Sequence, residues 1–285
     1  MFVSNPPKDL LRRDVDAPII KKKFENNYEN VTYFGMPGPE MLDVKEWLDY
    51  LGFVIAVDND LSALGVMNMT AASLKILDRV QFLRGDVESI LVNWQDEDDE
   101  APLRDSFDVV NLDFVGGIMG FGEDADHDKR VNAIRELLRH QRNETTSFIM
   151  FLTIGFREKH MDEYDRKLRH IGHELDKLGL DATPTIEWYF SHPPRHKLKV
   201  YVPYIVDEIG RANRFRLDMY KCFYYKGTND IPMMHFVFDM EYSVENVSPE
   251  RLGLRALLDC PLFIAHQDHV KACPNHPPPI LGASP

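Results

Sequence analysis

Two glycines and an aspartate near the start of the chain have the spacing of a nucleotide-binding turn. Gly35 and Gly38 follow the short apolar run Val31–Phe34, and Asp58 ends a second apolar run, Phe53–Val57. In an open parallel sheet, ligands bind beyond the carboxyl ends of the strands. There a glycine turn lets the backbone approach the ligand, and an acidic residue about 20 positions later bonds ribose hydroxyls. Gly38 and Asp58 have this spacing, which predicts a ligand that carries a ribose.

The residues beside this turn bear on the charge of the ligand. Glu40 stands at the N-terminus of the next predicted helix, which is where a pyrophosphate would bind. Met41 stands where a dinucleotide fingerprint has its third glycine. Both residues disfavour an anionic dinucleotide, whereas a cationic cofactor such as S-adenosylmethionine remains compatible. A doubly wound protein with an ordinary glycine turn is the alternative.

Two further aspartates follow later strands. Asp86 comes after the predicted strand Val80–Leu83, where it could accept a hydrogen bond from an adenine amino group or serve a turn. Asp113 leaves the predicted strand Phe107–Leu112 and is followed at once by Phe114. A hydrogen-bond acceptor next to an aromatic face suits a flat base that bears an amine. A turn with Phe114 in the core is the alternative.

The elements that must position these residues are apolar strands and amphipathic helices. Helices are predicted over residues 39–51, 61–77, 129–141 and 161–178. In the first of them, Val44 and Trp47 share the apolar face and Asp43 lies off it. A long central strand is predicted over residues 147–156, and two β-rich runs around Lys226–Asp230 predict an antiparallel hairpin.

Composition limits the class of protein. Of the 285 residues, 44% are apolar and 11% aromatic, which is typical of a globular protein. There are 33 basic and 46 acidic residues, so a nucleic-acid partner would need a local basic patch or a partner subunit. Three widely spaced cysteines fit a reducing compartment. No apolar run has the length of a membrane span and the first residues lack a signal-peptide core, which predicts a cytoplasmic protein with no membrane contact.

This order of elements, with these turns, resembles the class I S-adenosylmethionine-dependent methyltransferases over residues 31–242. The sequence Asp113-Phe114-Val115-Gly116 is similar to the Asp-Pro-Phe/Tyr-Gly motif of the tRNA guanine-N2 dimethyltransferases and of the three-Cys-motif partner proteins. The turn Phe34–Gly38 is similar to the Phe-Ala-Gly-x-Gly turn of the latter family. Phe114 replaces the proline of the motif, and Tyr33 stands where the family has an acidic residue.

The resemblance implies an α/β fold with a Rossmann-like, seven-stranded, mostly parallel sheet. Helices would cover both faces of this sheet, and a C-terminal antiparallel hairpin would complete it. The chain then divides into an N-terminal arm over residues 1–30, a methyltransferase-like domain over 31–245 and a C-terminal extension over 246–285.

The resemblance also implies where S-adenosylmethionine would bind. Its methionine part would lie against the turn Gly35–Gly38, and its ribose would bond to Asp58. Its adenine amino group would lie near Asp86. The methyl acceptor would lie near Asp113 and Phe114, which are the candidate catalytic residues.

The implied function is methyl transfer to an amine of a nucleic-acid base. The departures from the motifs and the acidic surface keep a second function open, namely a catalytically degenerate subunit that binds a nucleotide or a partner protein in a larger assembly. Basic residues with tyrosines between them could hold nucleic acid, or they could form the solvated face of a strand. The basic residues are Arg195, Lys197, Lys199, Arg211 and Arg214.

The two ends of the chain leave alternatives. Lys21–Lys23 could belong to a lid or contact a phosphate, but a solvated N-terminal arm is favoured. Near the C-terminus, several side chains could bind zinc, although their spacing matches no familiar zinc finger and no metal site is predicted. These side chains are Cys260, His266, His269, Cys273 and His276.

Overall fold

A computed structural model describes residues 5–95, 103–104, 106–114, 116–118, 129–144, 147–156, 162–177, 179, 181–243 and 260–273. Within these residues, nine strands form one sheet in the order β3-β2-β1-β4-β5-β7-β6-β8-β9. The strands are β1 (Thr32–Gly35), β2 (Phe53–Asp58), β3 (Val80–Arg84), β4 (Val109–Phe114), β5 (Phe148–Gly155), β6 (Phe215–Lys226), β7 (Pro232–Tyr242), β8 (Leu262–Ala265) and β9 (Val270–Ala272).

The first five strands are parallel, and β7 pairs antiparallel with both β5 and β6. The Rossmann-like fold with a C-terminal antiparallel hairpin is therefore confirmed, and it is the fold of the class I methyltransferases. The C-terminal extension adds β8 and β9 beside β6, so the sheet is two strands wider than predicted.

Helices cover both faces of the sheet. The helices are α1 (Pro6–Leu11), α2 (Ala17–Lys23), α3 (Leu42–Trp47), α4 (Leu61–Leu74), α5 (Val87–Asn93), α6 (Lys129–Asn143), α7 (Asp162–Asp176), α8 (Thr183–Ser191) and α9 (Pro194–Ala212). One core cluster contains side chains of α5, α6 and α9, and a second contains those of α1 to α4. None of the described helices has the length and apolar character that a bilayer crossing requires.

The N-terminal arm is a helical segment that packs on the sheet. A π-helical turn, Arg12–Asp16, joins α1 to α2, and we call residues 6–23 the N-terminal segment. Leu11, Val15 and Ile20 of this segment are buried in the second core cluster. The interpretation of the N-terminal arm as solvated is therefore wrong for these three residues, whereas Lys21 and Lys22 are exposed.

Charged residues of the N-terminal segment contact a row of polar side chains on the central strands. Lys8 forms an ion pair with Asp113 of β4, and Lys23 forms one with Asp239 of β7. Between them, Asp16 lies 3.1 Å from His235 Nε2 of β7. These contacts satisfy polar groups that would otherwise be buried at a cost in free energy, because buried charges need partners.

Two other elements differ from the sequence prediction. The helix predicted over residues 39–51 is α3 followed by a short 3₁₀ turn, because Gly38 and Met41 have positive φ angles of 69° and 50° and hold the preceding residues in a turn. The run from Arg195, interpreted as a strand face, is helix α9. Pro194 begins it in the first helical turn, where the missing N–H of proline costs nothing.

Candidate functional site

A cavity of about 300 Å³ lies at the carboxyl ends of β1 and β4. Three parts of the chain enclose it: the loop Met36–Glu40, residues of the N-terminal segment including Lys8, and the β6–β7 hairpin with Tyr225. Asp113 at the end of β4 completes the lining. The volume is at the lower end of the range of small-molecule sites, about 300–1,000 Å³. The position is the one at which open α/β sheets bind ligands.

The glycine turn brings the backbone close to this cavity. An added Cβ at Gly35 would lie 2.5 Å from the hydroxyl oxygen of Tyr33 and 2.6 Å from the carbonyl oxygen of Asn111, so no side chain fits there. An added Cβ at Gly38 would meet no atom within 4 Å, but its φ of +69° favours glycine. The turn therefore depends on Gly35 for space and on Gly38 for conformation.

We expect Gly35→Ala to lower the free energy of unfolding by about 1–3 kcal/mol, because the new methyl group overpacks the contact between β1 and β4. Chemical denaturation of both proteins measures the change. Gly65→Ala is the matched control, since an added Cβ in α4 would meet no atom within 4 Å. Equal stability of Gly35→Ala and wild type would contradict the close approach.

Asp113 lies at the cavity with a cation beside it. Its side chain is 23% exposed and that of Lys8 is 20% exposed, so the ion pair is partly screened from solvent. Asp113 was predicted from its position after a strand, whereas Lys8, Asn5 and Tyr225, which also line the cavity, were not predicted. No local signal could have identified Lys8, since it precedes its partner by 105 residues.

Arg12 also lines the cavity, and it forms a buried ion pair with Asp43. Asn111 of β4 donates a hydrogen bond of 2.5 Å to the other carboxylate oxygen of Asp43. Burial acts to lower the pKa of Arg12, but the neighbouring Asp43 carboxylate outweighs it, and the net pKa is raised. Asp43 was predicted to lie off the apolar face of this helix, and it is nevertheless buried, because its carboxylate bonds to these two partners.

Asp58 and Asp86 lie at the carboxyl ends of the neighbouring strands, outside the lining of the cavity. Asp58 ends β2 and accepts a hydrogen bond of 2.9 Å from the Asp60 backbone N–H. Asp86 precedes α5, is exposed and makes no side-chain capping bond to that helix. The structure thus brings Gly38 and Asp113 together around one cavity and leaves the other two aspartates beside it.

Phe114 does not reach this cavity. It is 3% exposed and belongs to the core cluster on the opposite face of the sheet from Lys8, because successive strand residues point to opposite faces. The guanidinium carbon of Arg130 lies 4.8 Å from the centre of its ring. Phe114 is positioned as a core residue and not as a stacking face for a base.

The predicted basic patch is not one continuous surface. Lys197 and Lys199 are 7% and 3% exposed, because α9 is buried on all sides from His196 to Pro203. Lys197 Nζ lies 2.6 Å from an oxygen of Asp165, and Arg211 pairs with Asp207. The interpretation of this run as a solvated face is therefore wrong for the two lysines.

The candidate zinc ligands near the C-terminus are spread over several environments. Cys260 and Cys273 are buried, and Cys273 Sγ lies 3.9 Å from His196 Nε2. The rings of His266 and His269 stack with their centres 4.7 Å apart. Among the residues that the structure describes, no three side chains converge in a way that could hold a metal ion, and His276 lies outside those residues.

Comparison with known proteins gives one family assignment. A family model described as PP_RS20740-like matches residues 9–177, which is more than half of the chain. The match begins within the N-terminal segment and ends with α7. No curated protein matches the chain in sequence.

Several solved structures have a similar fold. An rRNA methylase from Streptococcus thermophilus is 11% identical, with a TM-score of 0.44 over 85% of this chain and 99% of its own. A candidate methyltransferase from Streptococcus mutans, in complex with SAH, is 11% identical, with a TM-score of 0.43 over 84% and 99%. Trm5b from Pyrococcus abyssi is 9% identical, with a TM-score of 0.41 over 79% and 48%.

Proposed function

The chain belongs to the PP_RS20740-like family, and for this member we propose an S-adenosylmethionine-dependent methyltransferase that acts on an amine of a nucleic-acid base. One observation supports the proposal above the others. A cavity of ligand size lies where β1 and β4 end in a sheet of class I methyltransferase order, with a glycine turn on one side and Asp113 on another.

The residues around the cavity suit the amino-acid end of S-adenosylmethionine, which carries a carboxylate, an ammonium group and a sulfonium. Lys8 can attract the carboxylate, whereas Glu40 and Asp113 can attract the positive groups. The open space above Gly38 lets the backbone approach the ligand. When bound, this cofactor supplies an electrophilic methyl group.

The protein's own part in the reaction is to orient the reactants and exclude water. In the proposal, Asp58 bonds the ribose hydroxyls and Asp86 accepts from the adenine amino group. Asp113 accepts a hydrogen bond from the amine that receives the methyl group. Lys8 holds the Asp113 carboxylate in one orientation. The β6–β7 hairpin, which encloses one side of the cavity, shields the reacting atoms from solvent.

Calorimetry with S-adenosylmethionine, its demethylated product and NAD tests the choice of cofactor. Cofactor labelled in its methyl group, incubated with the protein and with total RNA or DNA, tests the reaction. Methyl incorporation into either nucleic acid supports the proposal. Binding without turnover favours the degenerate subunit, and NAD binding alone would overturn the cofactor assignment.

We expect Asp58→Ala to weaken binding of S-adenosylmethionine at least about tenfold, because removing a charged acceptor from a hydrogen bond costs about 1.5–3 kcal/mol. Calorimetry measures the affinity. Asp60→Ala is the control: it removes the hydrogen bond of 2.8 Å that caps α4 while leaving the Asp58 carboxylate in place. Unchanged affinity in Asp58→Ala would reject its role in binding the ribose.

A further inference from the structure

A second hollow, of about 430 Å³, lies at the carboxyl end of β5. It is bounded by Phe156 after β5, by Tyr224 on β6 and by Arg195 in the first turn of α9. The rings of Phe156 and Tyr224 have their centres 6.4 Å apart and form an aromatic wall. The proposed methyl-transfer reaction assigns no role to this hollow.

Arg195 is positioned there as a hydrogen-bond donor without an acceptor. Its guanidinium carbon lies 5.2 Å from the centre of the Tyr224 ring, a cation–π contact. Its Nε atom is buried and has no hydrogen-bond partner among the residues that the structure describes. A buried donor without an acceptor costs about 1–3 kcal/mol, and an anionic ligand in the hollow would remove that cost.

The charge around Arg195 also favours an anion. Helix α9 has 19 residues, its cap residue Pro193 offers no side-chain acceptor, and its first turn contains no acidic residue. The positive end of the helix dipole therefore has no compensating group from the helix itself. One carboxylate, that of Asp230, also lines the hollow. That side chain is 82% exposed and lies 3.3 Å from Lys226 Nζ, so its charge is partly compensated and faces solvent.

This hollow continues toward the proposed active site. Tyr224 and Asp230 also line a neighbouring hollow of about 600 Å³, which shares Gly227 and Thr228 with the cofactor cavity. The three hollows thus follow one another around the β6–β7 hairpin. A ligand that occupies all of them must be extended and must carry an anionic group at the α9 end.

We infer that the hollow at α9 binds a backbone phosphate of a single-stranded nucleic-acid acceptor, with Arg195 donating to the phosphate and Tyr224 contacting a base or sugar. This inference rests on the proposed function, because it assigns a subsite to the acceptor of that reaction. Arginine fits a phosphate with two parallel N–H donors, and an aromatic ring accepts any base, so the subsite carries little sequence preference.

The test uses the full chain and a fluorescein-labelled single-stranded RNA of ten nucleotides, with binding followed by fluorescence anisotropy at several salt concentrations. Arg195→Gln is expected to weaken binding about tenfold or more and to reduce the salt slope by about one. Arg195→Lys keeps the positive charge but lacks the planar guanidinium, so its RNA affinity should lie between those of the wild type and Arg195→Gln. Arg216→Gln is the matched control, because Arg216 is an exposed arginine that already pairs with Asp218 and Glu241.

Thermal unfolding and calorimetry with S-adenosylmethionine accompany each variant. We expect Arg195→Gln to bind the cofactor as wild type does, since Arg195 does not line the cofactor cavity. RNA binding that is equal in wild type and Arg195→Gln would overturn the phosphate site, and so would the absence of both RNA binding and inorganic-phosphate binding from the wild type. If the wild type bound inorganic phosphate but no RNA, and Arg195→Gln lost the phosphate binding, the nucleic-acid assignment would be overturned. Arg195-dependent RNA binding without cofactor binding would overturn the proposed function and leave the phosphate site intact.

Discussion

Replacing Asp43 with alanine is expected to lower the free energy of unfolding by about 3–5 kcal/mol, the typical cost of breaking a buried ion pair. The Asp43 side chain is 2% exposed, and its two oxygens bond to Arg12 and Asn111. Removing the carboxylate leaves the buried guanidinium paired with Asp9, at 2.6 Å, and with the more distant charge of Asp113. It also leaves the Asn111 amide without its acceptor. The cost therefore exceeds that of an ordinary surface substitution.

Urea denaturation followed by circular dichroism measures this change. Asp49→Ala is the matched control, because Asp49 is exposed on the 3₁₀ turn that follows α3, and we expect a change within about 0.5 kcal/mol. The double variant Arg12→Met/Asp43→Leu removes both charges and should recover much of the loss. If Asp43→Ala were no more destabilising than Asp49→Ala, the buried pair would not stabilise the docked N-terminal segment.

Stability should fall in mild acid because of His196. Burial lowers the pKa of His196 to about 4, with smaller contributions in the same direction from Arg195, His192 and Lys199. In the unfolded chain a histidine binds a proton below about pH 6.5. Between about pH 6.5 and pH 4 the unfolded state therefore binds a proton that the folded state does not. The stability is fully present above pH 6.5 and is lost as the pH falls toward 4, by about 3 kcal/mol in total.

The ring of His196 cannot easily escape this penalty. It is 1% exposed, packs edge-on against Trp188 at 5.1 Å and lies beside the Cys273 sulfur. Denaturation of wild type and His196→Gln at pH 7.5 and pH 4.5, values chosen to bracket the window, isolates its contribution. We expect the difference between the two pH values to shrink by about 2 kcal/mol in the variant. In His173→Gln, which changes an exposed histidine of α7, the difference should stay that of wild type.

The strands that carry the site could be predicted from sequence because each is a short apolar run with a clear end. The prediction Val31–Phe34 corresponds to β1 at Thr32–Gly35, and Asp58 ends β2 as expected. The glycine turn and Asp113 came from the same signals. The hydrophobic pattern and the turn residues are local properties of the sequence, so they predict these strands without knowledge of the tertiary contacts.

The contacts of the N-terminal segment could not be predicted, because they join residues that lie far apart in the sequence. Lys8, Arg12, Asp16 and Lys23 have the composition of a solvated helix face, yet each contacts a partner elsewhere in the fold. Helix α9 was predicted as a strand for a related reason. Its buried lysines break the alternation between apolar and polar faces that identifies an amphipathic helix, and the partner of Lys197, Asp165, lies on a different helix.

The docking of residues 6–23 also has a consequence for synthesis on the ribosome. Lys23 and Asp16 meet β7 partners that lie 216 and 219 positions later in the chain. These helices leave the exit tunnel before β7, so their binding surface is complete only after the hairpin strand has been translated. Until then Leu11, Val15 and Ile20 lack the strands they pack on, and this is the kind of exposed apolar surface that chaperones recognise. Docking of this segment therefore has to wait until the C-terminal hairpin strand has been made.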